Sequence, residues 1–292
     1  MRTILGLAAK ARSGKDTTAQ LLLKDARVAA FALANPLKAG CQALFGLSEV
    51  EAWGDSHKEI QIPLWGKSPR EFFQQVGTEW MRGLDANHWL KRAEREINPA
   101  AVELQSGATP NLLLPDAPFR LAAQAFFNFT DAQVWETLEF DQVDSYWGLS
   151  PRQAVAYLEQ KALELNPDYY RKRSAVPTQP PKALPGIPQT AAVIVITDIR
   201  FENEAAFLRS HNGVIWHIVR PGLQLVNAHS SEAGIERRPE DALIMNDGSL
   251  DQLEQQVRQA WGQLISSALT PTPQNGEDPN PQSPELPEKG DR

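Results

Sequence analysis

The chain has 292 residues, 42% hydrophobic and 22% charged, with a formal net charge of −7. That is enough apolar material for a sizeable core in one large or two modest domains, and the acidic balance argues against a general nucleic-acid binder, which carries a strong basic bias. Cys41 is the only cysteine, no apolar run reaches the length of a membrane span and no signal-peptide pattern opens the chain, so the expectation is a cytoplasmic protein with no internal disulfide and no membrane partner.

Residues 4–9 form an apolar strand pattern that runs into Lys10-Ala11-Arg12-Ser13-Gly14-Lys15-Asp16-Thr17, and a helix-compatible stretch follows over 18–24. Strand, small basic turn and helix are the layout of a phosphate-binding loop. Backbone N–H groups and a helix N-terminus converge on an anion, and a lysine reaches the outer phosphates. The usual spacing is G-x-x-x-x-G-K-[ST]. Ala9 holds the first glycine position and Asp16 the Ser/Thr position, with Thr17 one residue later. Residues 11–17 are the candidate phosphate binders, Lys15 is the candidate catalytic cation, and Asp16 or Thr17 could hold Mg²⁺ directly or through water.

A second strand is predicted over 27–33, broken by Asn35-Pro36, with a helix over 37–45. Ser68-Pro69-Arg70-Glu71 is a helix start with a capping box and a first-turn proline. Its helix is predicted to carry Phe72, Phe73, Val76 and Trp80 on one face, and another helix spans 85–97. Five prolines within 174–190 mark a linker. Residues 191–197 are a continuous apolar run, typical of a parallel strand buried on both faces, ending at Asp198. A helix over 203–211, a strand over 214–219, a short strand over 243–245 and an amphipathic helix over 249–268 complete the pattern. The segment from 270 onward holds three of the seven net negative charges and reads as a disordered tail.

Shifting the chain by 82 residues lays 36–70 on 118–152 without a gap. Ten of the 35 positions are identical, among them Trp53/Trp135, Trp65/Trp147 and Ser68-Pro69-Arg70/Ser150-Pro151-Arg152. This predicts a tandem duplication of a helical module. The fold class expected is therefore α/β, a parallel sheet flanked by helices with a largely helical, duplicated insertion. The divisions are 1–98 for the core with acceptor-binding helices, 99–190 for the insertion and linker, 191–269 for the rest of the core, and 270–292 for the tail.

Ligands of parallel sheets bind beyond the strand C-terminal ends. The loop and Asp198 both sit there. Asp198 resembles a magnesium-orienting strand-end acid, Arg200 could bind a phosphate, and Glu204 could fix that guanidinium or accept a sugar or base hydrogen bond. Arg70, in a helix first turn where a cation is poorly placed, points to a bound anion. Lys38, Lys58, Arg82 and Arg92 add a basic side. Lys58 has no basic counterpart at Phe140, so the first copy is the better substrate binder. The five histidines show no metal spacing.

The Gly14-Lys15-Asp16-Thr17 loop, Ser68-Pro69-Arg70 with Gly77-Thr78-Glu79, the run Ile196-Thr197-Asp198-Ile199-Arg200-Phe201-Glu202-Asn203-Glu204, and Asn246-Asp247-Gly248-Ser249-Leu250 together resemble the deoxynucleoside monophosphate kinases of bacteriophages and their prophage relatives. The resemblance covers about residues 1–98 and 190–268. It implies a P-loop NTPase-type fold and transfer of the ATP γ-phosphoryl group to the 5′-phosphate of a deoxynucleoside monophosphate, with Mg²⁺. On this reading Ala11, Arg12, Ser13, Gly14, Lys15, Asp16 and Thr17 bind ATP, and Lys38 and Arg70 hold the acceptor phosphate. Asp198, Arg200 and Glu204 line the nucleotide site. The partner is a small nucleotide, the location is the cytoplasm (a host's, for a phage gene), and eight tryptophans leave room for a homodimer interface. Two other readings stay open: a P-loop kinase acting on a coenzyme precursor or isoprenoid phosphate, and a nucleotide-binding regulatory or packaging protein without turnover.

Overall fold

The computed structural model describes residues 2–10, 12–54, 56–99, 108–184, 186–222 and 235–269. In chain order the elements are β1 (Thr3–Ala9), α1 (Lys15–Leu22), β2 (Val28–Phe31), α2 (Ala34–Phe45), α3 (Glu49–Trp53) and α4 (Pro69–Gln74). A π-helix (Gln75–Arg82) continues α4, followed by α5 (His88–Ile97), α6 (Ala117–Phe127), α7 (Asp131–Trp135), α8 (Thr137–Phe140), α9 (Pro151–Leu165) and α10 (Tyr169–Arg173). The chain then returns to the sheet through β3 (Val193–Ile199), α11 (Glu202–Ser210), β4 (Val214–Val219), β5 (Ala242–Met245) and α12 (Leu250–Leu269).

The strands form one five-stranded sheet in the order β2-β3-β1-β4-β5, every pair parallel. The expected α/β class is what folds. β1 and β3 are central, and alternate residues feed two cores. Leu5, Leu7, Val193 and Val195 pack with Leu22 of α1 and Leu253 and Val257 of α12. Ile4, Ala8, Ile194 and Ile196 pack with Ala93 and Ile97 of α5 and Leu208 of α11. Burial on both faces is why these strands read as unbroken apolar runs. A third core, rich in aromatic residues, joins α2, α4, α6 and α9. No helix among the described residues is long and apolar enough to cross a membrane.

Some boundaries differ from the sequence reading. Asn35-Pro36 does not break the chain before a helix but lies in the first turn of α2, where a missing N–H costs nothing. Phe72, Val76 and Trp80 are buried as expected, whereas Phe73 is only half-buried. The predicted helix over 85–97 starts at His88. The tail from 270 onward lies outside the described residues.

Candidate active site

Gly14 closes the turn after β1 and sits at the N-cap of α1 with φ 99°, ψ 15°. This is left-handed backbone that glycine adopts without strain. No side chain caps α1. Asn246, just after β5, reaches across and donates its side-chain amide to the Ser13 carbonyl at 2.9 Å. A Cβ at position 14 would lie 2.4 Å from that amide nitrogen, so Gly14 makes room for the contact that shapes the loop. Ala9, which replaces the first glycine of the usual pattern, is the last residue of β1 and pairs with Ile218 of β4. It is extended there, and an extended backbone suits alanine. Arg12 takes φ 63°; Ala11 lies outside the described residues. Asp16 is exposed and sits 3.6 Å from the Lys15 ammonium, and Thr17 is half-buried.

Lys15 opens onto a cleft of about 720 Å³ at the C-terminal ends of β2 and β3. The same cleft is lined by Lys38, Arg70, Arg200 and Glu204, so five residues singled out from widely separated segments meet in one place. Asp198 is the penultimate residue of β3; its side chain lies outside the described part of the structure. The cleft's size suits a nucleotide-sized ligand.

Three of the cleft cations have defined partners. Lys38 lies 5.5 Å above the Trp53 ring. Arg70 donates to Glu59, and its own backbone N–H donates to the Lys58 carbonyl. Arg82 stacks 4.6 Å over Phe201 and pairs with Glu204 at 3.2 Å. Glu204 is buried, and its other oxygen accepts from the N–H groups of Arg200 (2.9 Å) and Phe201 (3.2 Å). The guanidinium that Glu204 fixes is thus Arg82's, and both of its carboxylate oxygens are occupied.

Several lining residues escaped the sequence reading. Phe73, Trp89 and Phe201 give the cleft an aromatic wall, and Thr78 reaches it from the π-helix. Trp89 is oriented by its indole N–H, which donates to the Gly77 carbonyl at 3.0 Å. The signals in the sequence were the Gly77-Thr78-Glu79 run and the run that holds Phe201. Arg92, grouped with the basic residues beforehand, is buried and serves structure: it donates to the Ala125 carbonyl and pairs with Glu96 at 2.7 Å.

Comparison with known proteins gives one consistent description. A family model described as deoxynucleotide monophosphate kinase matches residues 181–257, which span β3, α11, β4, β5 and the start of α12. A deoxynucleotide monophosphate kinase of Escherichia phage RB69 is 24% identical over 84% of this chain and 94% of its own length. A putative one of Acanthamoeba polyphaga mimivirus is 24% identical over 48% of this chain and 77% of its own. The enzyme of Enterobacteria phage T4 is 34% identical over a shorter stretch, 22% of this chain and 27% of its own. The likeness to viral deoxynucleotide monophosphate kinases, first legible in the loop and the β3 run, therefore extends over most of the chain.

Proposed function

We propose that this protein is a kinase that transfers the γ-phosphoryl group of ATP to the 5′-phosphate of a deoxynucleoside monophosphate. The observation that carries the reading is the convergence of Lys15, at the phosphate-loop helix, with Lys38, Arg70 and Arg200 in one cleft beyond the strand ends. The names of the viral relatives point to the same substrate class.

The loop residues fit a nucleotide phosphate chain. The α1 N-terminus has no side-chain cap, so its first backbone N–H groups are available to an anion, and Gly14 supplies the left-handed turn that leads into it. Lys15 supplies charge to the outer phosphates. Among the described residues no group of three His, Cys, Asp or Glu side chains gathers in one place. Mg²⁺ is typically held by substrate phosphates with one or two protein oxygens, which Thr17 or Asp16 with Asp198 would supply here. When bound, Mg²⁺ neutralises charge on the phosphate oxygens.

Arg70 and Lys38 hold the acceptor phosphate from the α2–α4 side, and Arg200 faces it from just beyond β3. One acceptor oxygen attacks the γ-phosphorus, the bond to the bridging oxygen breaks, and ADP leaves. A phosphate acceptor is already largely anionic at neutral pH, so the step needs no strong base. Positioning and charge neutralisation do the catalysis. Phe73 and Trp89 offer an apolar wall for the acceptor's base. The test is a panel of deoxynucleoside monophosphates with ATP and Mg²⁺, read by ADP release. At least one should be turned over; no ADP release above background with any of them would end this reading.

A further inference from the structure

Residues 36–70 and 118–152 fold alike, contact by contact. Trp53 donates to Gln42 and Trp135 to Gln124, each at 3.1 Å. Trp65 donates to the Phe45 carbonyl at 2.8 Å and Trp147 to the Phe127 carbonyl at 2.7 Å. Capping boxes recur at Ser68/Glu71 and Ser150/Gln153, and Arg70–Glu59 recurs as Arg152–Asp141.

The two copies part company at the pocket. Lys38, Lys58 and Arg70 line the cleft. Their counterparts 82 residues on are Arg120, Phe140 and Arg152. There the Phe140 ring is buried, with the Arg120 guanidinium 3.9 Å and the Arg152 guanidinium 4.7 Å from its centroid. Arg120 is further tied to the Val134 carbonyl and Asp116. The phenyl ring closes in the second copy what is open in the first. No residue from 108 to 184 lines the cleft either.

The second copy grips the acceptor-side elements instead. α2 and α6 pack so closely that a Cβ at Gly40 would lie 1.9 Å from the Phe126 ring. α5, which carries Trp89, is held by Arg92 to the Ala125 carbonyl (2.7 Å), Arg95 to Asp144 (2.7 Å) and the Tyr146 hydroxyl to the Lys91 carbonyl (3.0 Å). The π-helix carries Gly77, Thr78 and Arg82 to the cleft. Its backbone pairs i→i+5 in place of i→i+4, and two of its carbonyls also accept side-chain donors from neighbouring helices. Gly77 takes the Trp89 indole, and the Trp80 carbonyl takes the Tyr157 hydroxyl of α9 at 2.8 Å.

We propose that the second copy of the module, its own pocket closed by Phe140, braces the acceptor side of the first, and that Tyr157 is the positioning residue that fixes the π-helical turn bearing Thr78 and Arg82. This rests on the reading of the cleft as a nucleotide-acceptor site. Tyr157→Phe keeps the ring and removes one hydroxyl. We expect the acceptor KM to rise about 3- to 10-fold, the worth of one hydrogen bond, with the ATP KM unchanged. Amide hydrogen exchange should speed up in residues 75–82 and not in β1 or β3. Arg152→Ala should leave the acceptor KM unchanged, and calorimetry should count one acceptor nucleotide per chain. Unchanged exchange over 75–82 in Tyr157→Phe overturns the brace whether or not the protein turns over. So does an equal rise in both KM values, or a second acceptor bound per chain. A wild-type chain that phosphorylates none of the panel while the exchange result holds defeats only the substrate reading.

Discussion

Replacing Gly14 by alanine tests whether the loop's shape comes from local backbone freedom and one distant amide. Alanine at φ 99° costs about 1–2 kcal/mol for left-handed backbone. Its Cβ would also sit 2.4 Å from the Asn246 amide nitrogen, closer than atoms of folded proteins approach, so Asn246 must turn away. That breaks its 2.9 Å bond to the carbonyl of Ser13, a residue only 2% exposed. Leaving the carbonyl without a partner costs roughly 1–3 kcal/mol. The sum, about 2–5 kcal/mol, is below the stability of an ordinary domain, so the variant should fold with a distorted loop. Asn246→Ala should cost only the hydrogen-bond part. In the double variant the Asn246 bond can be lost only once and the clash is gone, so the loss should fall short of the sum of the singles by about 1–3 kcal/mol. Denaturant unfolding gives all four corners, and the ATP KM measured alongside should follow the same pattern. Strict additivity would show that Gly14 and Asn246 act independently and refute the coupling.

Lys15→Ala should abolish turnover with an unchanged unfolding midpoint, because Lys15 contributes charge to the cleft rather than core packing; near-normal kcat would reject the loop assignment. Glu204→Gln should raise the acceptor KM and cost about 1–3 kcal/mol of stability. A glutamine offers one acceptor oxygen where Glu204 serves both Arg82 and two backbone N–H groups, and a silent substitution would show that the pair does not hold Arg82. His88 is buried among Trp89, Phe127 and Trp147, and burial pushes its imidazole down to about 3. A group depressed in the folded state favours folding while neutral, so this contribution is full above its unfolded value of about 6.5 and is lost as pH falls toward the folded one. Between pH 7 and pH 5 the loss from this residue is about 2 kcal/mol. His88→Phe, which keeps a ring in the aromatic cluster, should lose less stability over that interval in denaturant titrations; parallel pH profiles would show that His88 is not a source of acid sensitivity.

The central sheet was legible because burial on both faces leaves no room for polar residues. The run over 191–197 and the strand over 4–9 could hardly be anything else. The capping box at Ser68 was equally plain, since its partners lie three residues apart. What escaped the reading depends on contacts between distant segments. Arg82 and Glu204 are 122 residues apart and Asn246 and Ser13 are 233 apart; only the strand order brings them together. The π-helix is a subtler case. Residues 75–82 keep a pattern of apolar positions that reads as an ordinary helix, and the wider turn places Thr78 and Arg82 on the cleft while Val76, Trp80 and Met81 stay buried. Phe73 is predicted to share one face with Phe72, Val76 and Trp80, although one residue beyond Phe72 lies about 100° around the helix. It ends on the cleft wall instead.

Net charge shows why an average misleads about a site. A chain of net charge −7 would repel two anionic nucleotides if its charge were spread evenly. Yet among the described residues the cleft is lined by Lys15, Lys38, Lys58, Arg70, Arg82 and Arg200 against one carboxylate, that of Glu204, and low-dielectric walls strengthen that local field. So many cations in one cleft would also repel one another. Four of them are paired with acids or a ring: Arg70 with Glu59, Arg82 with Glu204, Lys15 with Asp16 and Lys38 with the Trp53 face. In the second copy the same scaffold carries Phe140 where the first has Lys58, and the two flanking arginines stack on its ring. Lys58 is thus a cleft cation of the first copy that has no basic counterpart in the second.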